Sequence, residues 1–333
     1  MNYGLPYKGS KNRIAKKILD ILPAAPVLYD VFCGGCAVTH AALLSGKYSR
    51  VVANDINGMI PHAFEKAIRG GFRNEDRWIS REEFRRLYLS DPYVAMCFSF
   101  GNNLHEYCYA RDLEPYKRAL HYAIFWKDIA PWAELCPETA DALGAAMQAE
   151  DNRHKRRIKA GRVIVSALKQ GLSDGTISAA VLDKPIYRKI RKEKTPGLGI
   201  QPAESVERLK NLETLQTDES LCRLQSLERI TDVDVPPVLT VTTGDYRALN
   251  FERGGIIYCD PPYKSTEERY GREFDFNGFY SWCEHQANPV FISEYTMPED
   301  RFVPVAAFTV TRKMDTKKSS ICPEKIWRPR TQL

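Results

Sequence analysis

Nowhere in the 333 residues is there an uninterrupted apolar run of the roughly 20 residues that a bilayer-spanning helix needs. The opening stretch, MNYGLPYKGSKNR, lacks the apolar centre of a secretory signal. The expectation is a soluble, cytoplasmic chain with no membrane partner. Histidine is scarce, at 6 residues, and the 9 cysteines are scattered and odd in number. Reduced, mostly buried thiols fit that pattern, and a disulfide framework does not. Cys33 and Cys36 have C-x-x-C spacing, but no second pair stands at zinc-ribbon distance and no histidine cluster completes a site. No metal is expected, and the two cysteines read as small residues lining a turn. There is no internal repeat and no low-complexity tract. The G-x-G-x-x-G of a nicotinamide dehydrogenase is also missing after the first strand, where FCGGCAVTH stands instead.

Hydrophobic residues make up 44% of the chain, enough for a sizeable core. The net charge of +6 is unevenly spread. Residues 151 to 200 hold 13 Lys and Arg against 4 Asp and Glu, a local charge of +9, which leaves 35 minus 38, or −3, for the remainder. A basic segment inside a slightly acidic chain points to a polyanionic partner or to a solvated surface.

Both ends of the chain alternate strands with helices. Ser10 reads as the N-cap of a helix carrying Ile14, Ile18, Leu19 and Leu22 at helical spacing and stopped by Pro23. A short strand, VLYDVF, runs into CGGCAV and a helix. A second strand, RVVAND, ends at Asp55 and is followed by a helix over INGMIPHAFEKAIRGG. Strand, glycine turn, helix and a strand ending in an acid form the opening of a doubly wound α/β domain. From residue 76 to residue 234 strands are not expected. SREEFRRLYLS, LEPYKRALHYAIFWKDIAPWAEL and SVERLKNLETLQTDESLCRLQSLERI read as helices, separated by the basic run NRHKRRIKAGR and the loop-like YRKIRKEKTPGLGIQP. Strands return in VLTVTTGDY, GIIYCDPPY and PVFISEY, with further candidates in FVPVAAFTVTRK and EKIW. The expected organisation is therefore an α/β domain from residues 1–75 and 235–333, with helices on both faces of its sheet, and an inserted helical domain at 76–234.

Two motifs carry chemistry. In DVFCGGC, the glycines of the first strand-to-helix turn let a ligand approach the backbone, and Asp30 projects beside the turn. Asp55, at the end of the second strand, is placed to accept hydrogen bonds from a ribose diol. In YCDPPY, Asp260 ends a buried strand. Pro261 and Pro262 have fixed φ and no N–H, so the chain stiffens with its carbonyls facing outward. Tyr263 adds an aromatic face. A carboxylate, a carbonyl and a stacking ring together suit an aryl amine. A rigid turn leaving the sheet is the structural alternative.

DPPY at a strand end, downstream of an F-x-G turn, resembles the S-adenosylmethionine-dependent methyltransferases that act on exocyclic amines. The acid at its first position resembles the adenine-N6 branch. The order PYKGSK, glycine turn, large insert, DPPY is similar to that of the Dam-type (alpha-order, D12 class) site-specific DNA adenine methyltransferases, including phage and restriction-modification members. The resemblance covers roughly residues 5 to 70 and 238 to 327. It implies that Tyr7, Lys11, Asp30, Phe32, Gly34, Asp55, Asp245 and Asp260 serve the cofactor, and that Asp260, Pro261, Pro262 and Tyr263 form the catalytic loop. Cys36 stands where the family commonly has a second glycine. EKIW resembles the family's closing strand.

The reaction so implied is direct displacement of a methyl group by an adenine N6 flipped out of duplex DNA, with S-adenosylhomocysteine as product and no metal. The insert is the expected DNA-recognition domain, with Arg153, Lys155, Arg156, Arg157 and Arg162 as phosphate contacts. The aromatics of HYAIFWKDIAPW read as helix core. The resemblance places the protein in the cytoplasm of a bacterial or phage-infected cell. RNA adenine methylation, or a silent DNA-binding protein on the same scaffold, are the alternatives.

Overall fold

The computed structural model describes residues 3–7, 9–187, 219–231, 238–262, 274–311 and 321–333. Tyr263, almost all of YRKIRKEKTPGLGIQP and the first half of the third expected insert helix lie outside the described residues.

The chain divides into two compact units, one of residues 1–73 and 226–333, the other of residues 74–225. The first unit holds a seven-stranded sheet in the order β3-β2-β1-β4-β5-β7-β6. Its strands are β1 (Ala25–Asp30), β2 (Tyr48–Asp55), β3 (Val238–Thr243), β4 (Ile256–Cys259), β5 (Val290–Glu294), β6 (Phe302–Thr311) and β7 (Ile321–Pro329). β3, β2, β1, β4 and β5 run parallel, and β7 is antiparallel to both β5 and β6. This is the sheet of the S-adenosylmethionine-dependent methyltransferase fold, the α/β architecture expected from the sequence.

A parallel sheet must be covered on both faces, so its central strands read as continuous apolar runs. β4, IIYC, is buried at every position. On one face Val27, Tyr29, Val31, Ile257 and Cys259 pack with Phe279 and Cys283 of a helix over Phe276–Glu284. On the other, Asp30 meets Thr39 of a helix over Ala37–Ser45. The first helix, Ala15–Ile21, starts later than Ser10 implied, because Ser10 Oγ accepts the Asn12 N–H and closes a turn ahead of it. Pro23 lies two residues beyond its end.

The second unit is helical, and no strand occurs among its described residues. Its elements include helices over Arg81–Leu87, Pro92–Phe98, Glu114–Trp126, Ala130–Leu135, Pro137–Gln148 and Arg153–Asp174. The long segment LEPYKRALHYAIFWKDIAPWAEL is two helices rather than one, broken where Lys127 turns left-handed at φ 58°. The basic run that separates helices in the sequence reading is itself the N-terminal half of the longest described helix, Arg153–Asp174.

Candidate active site

In a doubly wound sheet the binding crevice opens beyond the carboxyl ends of the strands, where the order of strands reverses. Here that point lies between β1 and β4. Asp30 closes β1 opposite Tyr258 of β4, and Asp260 follows two residues later. Asp55 closes β2. Asn54, which the sequence reading passed over, ties these ends together. Its side-chain amide donates to the carbonyls of Val31 (3.0 Å) and Gly244 (3.1 Å) and its oxygen accepts from Thr242 Oγ1 at 3.0 Å.

The glycine turn is held from two sides. Gly34 N–H donates to Asp55 Oδ2 at 2.9 Å, and Asn57 N–H donates to Asp55 Oδ1 at 2.9 Å. Leu5 N–H donates to Gly35 O at 2.7 Å, laying the N-terminal segment across the turn. A Cβ on Gly35 would stand 2.6 Å from Tyr7 Cβ and 3.2 Å from Leu5 O, so this glycine is required by the Tyr7 side chain packed against it. Tyr7 and the glycine turn are thus brought together. Cys36, where a second glycine was expected, adopts the left-handed φ of 57° that favours glycine, at the start of the next helix. Its sulfur lies 3.6 Å from Cys33, and both thiols are buried in the turn.

Asp30 is buried, and its Oδ2 accepts from Thr39 N–H (3.0 Å) and Thr39 Oγ1–H (2.6 Å). Burial pushes its carboxyl up to about 7. The Thr39 bonds oppose that rise, and the neighbouring Asp260 and Asp55 add to it. Burial also raises Asp55, against the Asn57 and Gly34 N–H bonds. Three carboxylates therefore converge on one sheet edge.

The Lys11 ammonium meets one of them, Asp260. Lys11 is buried, with Nζ 2.8 Å from Asp260 Oδ1 and 3.5 Å from Glu324 Oε1. Burial works against its charge, but Asp260 and Glu324 outweigh burial and hold the lysine above its ordinary value. The sequence reading brought Lys11 and Asp260 to the same site but missed Glu324. Pro261 is buried and Pro262 half-buried.

The remaining expected cofactor residues have local tasks in this structure. Phe32 packs against Tyr246, Phe274 and Phe279, with ring centroids 5.1, 5.9 and 5.7 Å away. Asp245 caps its own turn by accepting Arg247 N–H at 2.9 Å, and the Arg247 guanidinium takes both carboxylate oxygens. The Arg247 hydrogen bond holds the Asp245 carboxyl below the usual range.

In the helical unit the five basic candidates separate. Arg156 is buried, and its guanidinium donates to the carbonyls of Ile124, Phe125, Glu150 and Asp151. Two of those carbonyls belong to the last turn of the helix Glu114–Trp126, so Arg156 satisfies a helix C-terminus. Arg153 donates to Glu75 O at 3.1 Å and lies over the Phe125 ring, and Arg157 donates to Cys222 Sγ at 2.6 Å. Lys155 and Arg162 are exposed. They stand seven residues apart, on one face of the helix.

The same unit carries a groove of about 900 Å³ whose walls include Arg86, Arg111, Arg118, Tyr122 and Trp126. Tyr122 and Trp126, read from sequence as helix core, meet edge to face here, and Trp126 is 46% exposed. The acids in the groove wall are engaged within it. Asp76 accepts Trp126 Nε1–H at 3.1 Å, Glu83 closes the Ser80 capping box, and Glu114 pairs with Arg81. Among the described residues no helix is long and apolar enough to cross a membrane, and no cluster of acids, cysteines and histidines forms a metal site.

The strand order defines the class, a methyltransferase fold. Residues 7–94 match the family model described as D12 class N6 adenine-specific DNA methyltransferase. Over those residues the chain is similar to adenine-specific DNA methyltransferases of that class. The match covers about a quarter of the chain and includes Tyr7, Lys11, Asp30, Phe32, Gly34 and Asp55, while Asp245 and the Asp260–Tyr263 stretch lie beyond it. No curated protein matches the chain.

Proposed function

We propose that the chain transfers a methyl group from S-adenosylmethionine to the exocyclic N6 of an adenine flipped out of duplex DNA. The observation that carries this reading is the cluster of Asp30, Asp55 and Asp260 around the strand reversal, with Lys11 as its ammonium. Such a donor set fits the cofactor. Among the described residues carboxylates outnumber the ammonium at this edge, which favours a cation, and S-adenosylmethionine carries a sulfonium and an ammonium. Asp30 is the acid for that ammonium. Asp55, fixed by two N–H groups, keeps lone pairs for a ribose diol. The Gly34–Gly35 turn and Tyr7 form the wall. When bound, the cofactor supplies an electrophilic methyl group.

The chain's own residues then position and polarise the nucleophile. An exocyclic adenine amine is weakly nucleophilic because its lone pair is delocalised into the ring. Hydrogen bonds from the amine to the Asp260 carboxylate and the Pro261 carbonyl favour a pyramidal nitrogen and offset the positive charge that forms on it. An adenine inside a duplex cannot reach this loop, so it is extruded, with Tyr263 as the stacking ring. Lys155, Arg162 and the Arg86–Arg111–Arg118 groove supply phosphate contacts, and Trp126 offers an aromatic face.

Asp260→Ala tests this. Methylation is expected to fall by roughly two to three orders of magnitude, while the variant still shifts duplex DNA in a binding assay. Undiminished turnover in this variant would sink the mechanism.

A further inference from the structure

Lys11 has two carboxylates, and only one belongs to the catalytic loop. Asp260 Oδ1 is 2.8 Å from its Nζ, and Glu324 Oε1, from β7, is 3.5 Å away. Glu324 is 3% exposed. A carboxylate buried this deeply carries a desolvation penalty, which its pairing with the Lys11 ammonium opposes. An apolar side chain at that position would serve the strand as well.

Charge balance gives the acid a task. With Asp260 alone, Lys11 would make a neutral pair, and the amine would have to compete with an ammonium for the same carboxylate. With Glu324 present, the three groups carry one net negative charge, and the ammonium is shared. Tyr258 and Tyr295 border the cluster, and Asp30 faces Asp260 from β1. We infer that Glu324 is a positioning residue for methyl transfer. It shares the Lys11 ammonium with Asp260, so that the Asp260 carboxylate, while holding Lys11 at 2.8 Å through Oδ1, keeps lone pairs to accept the amine N–H as the amine becomes cationic. This rests on the adenine-methylation reading of the site.

The test is steady-state methylation of duplex DNA from labelled S-adenosylmethionine by the full chain, by Glu324→Gln and by Glu324→Asp. Gln keeps the shape and removes the charge; Asp keeps the charge. The expected result is a kcat lowered by about tenfold or more in Glu324→Gln, with both KM values and the thermal midpoint close to wild type, and most of kcat recovered in Glu324→Asp. Wild-type kcat in Glu324→Gln overturns the inference, as does a loss confined to KM. Equal losses in both variants with a lowered midpoint, or failure of both to fold, assign Glu324 a structural role and overturn it too. An unmodified DNA product from the wild-type protein would overturn the methylation reading itself, and the inference with it.

Discussion

At the scale of single residues, Asp30 makes a prediction independent of catalysis. Its carboxyl is pushed up to about 7 in the folded chain by burial, from an ordinary value of 3.8. Between these two values the folded state holds a proton that the unfolded state has lost. Asp30 therefore costs stability progressively as pH rises from about 4 to about 7, by at most about 4 kcal/mol. Asp30→Asn should remove that dependence. Thermal unfolding between pH 5 and pH 8 would show a smaller decline in the variant than in wild type, and parallel declines would refute the assignment. The site acids differ in how readily they could be read. Asp30, Asp55 and Asp260 each end a strand, and a strand-ending acid is visible in sequence. Glu324 was hidden because it lies within a strand, between Pro323 and Lys325, where an acid reads as solvent-facing; only the pairing of β7 with β5 and β6 buries it. Asp245, which the resemblance assigns to the cofactor, makes the bonds of a local turn with Arg247.

At the scale of elements, charge obscured periodicity. Arg156, Ala160, Ile164, Leu168 and Leu172 recur every four residues and are all buried, which is a helix face. The stripe begins with an arginine inside NRHKRRIKAGR, so the run presents itself as a basic surface. Its members should separate experimentally. Arg156→Ala is expected to destabilise the helical unit by about 2–4 kcal/mol, because four carbonyls lose their donor. Lys155→Ala and Arg162→Ala should leave stability within about 0.5 kcal/mol. Each should reduce the slope of log affinity for duplex DNA against log salt by roughly one. Denaturant melts and salt-dependent binding titrations check both halves of the claim. Stable folding of Arg156→Ala would contradict its role as a cap.

At the scale of the whole molecule, both chain ends contribute to one sheet. The sequence showed this directly, since strand patterns stop before residue 76 and resume with VLTVTTGDY. The sheet's order was not legible in the same way. The antiparallel β7 between β5 and β6 depends on long-range pairing that local patterns do not encode. The groove of the helical unit was equally hidden, because Tyr122 and Trp126 lie in an apolar-rich helix and only packing decides which side they face. Methyl transfer to adenine N6 in DNA underlies every role assigned to the site. It is checked by incubating the full chain with methyl-labelled S-adenosylmethionine and duplex DNA and then digesting the DNA to nucleosides. Label is expected in N6-methyl-2′-deoxyadenosine alone, at sites that sequencing then maps. Label in cytosine, or no label at all, would contradict it.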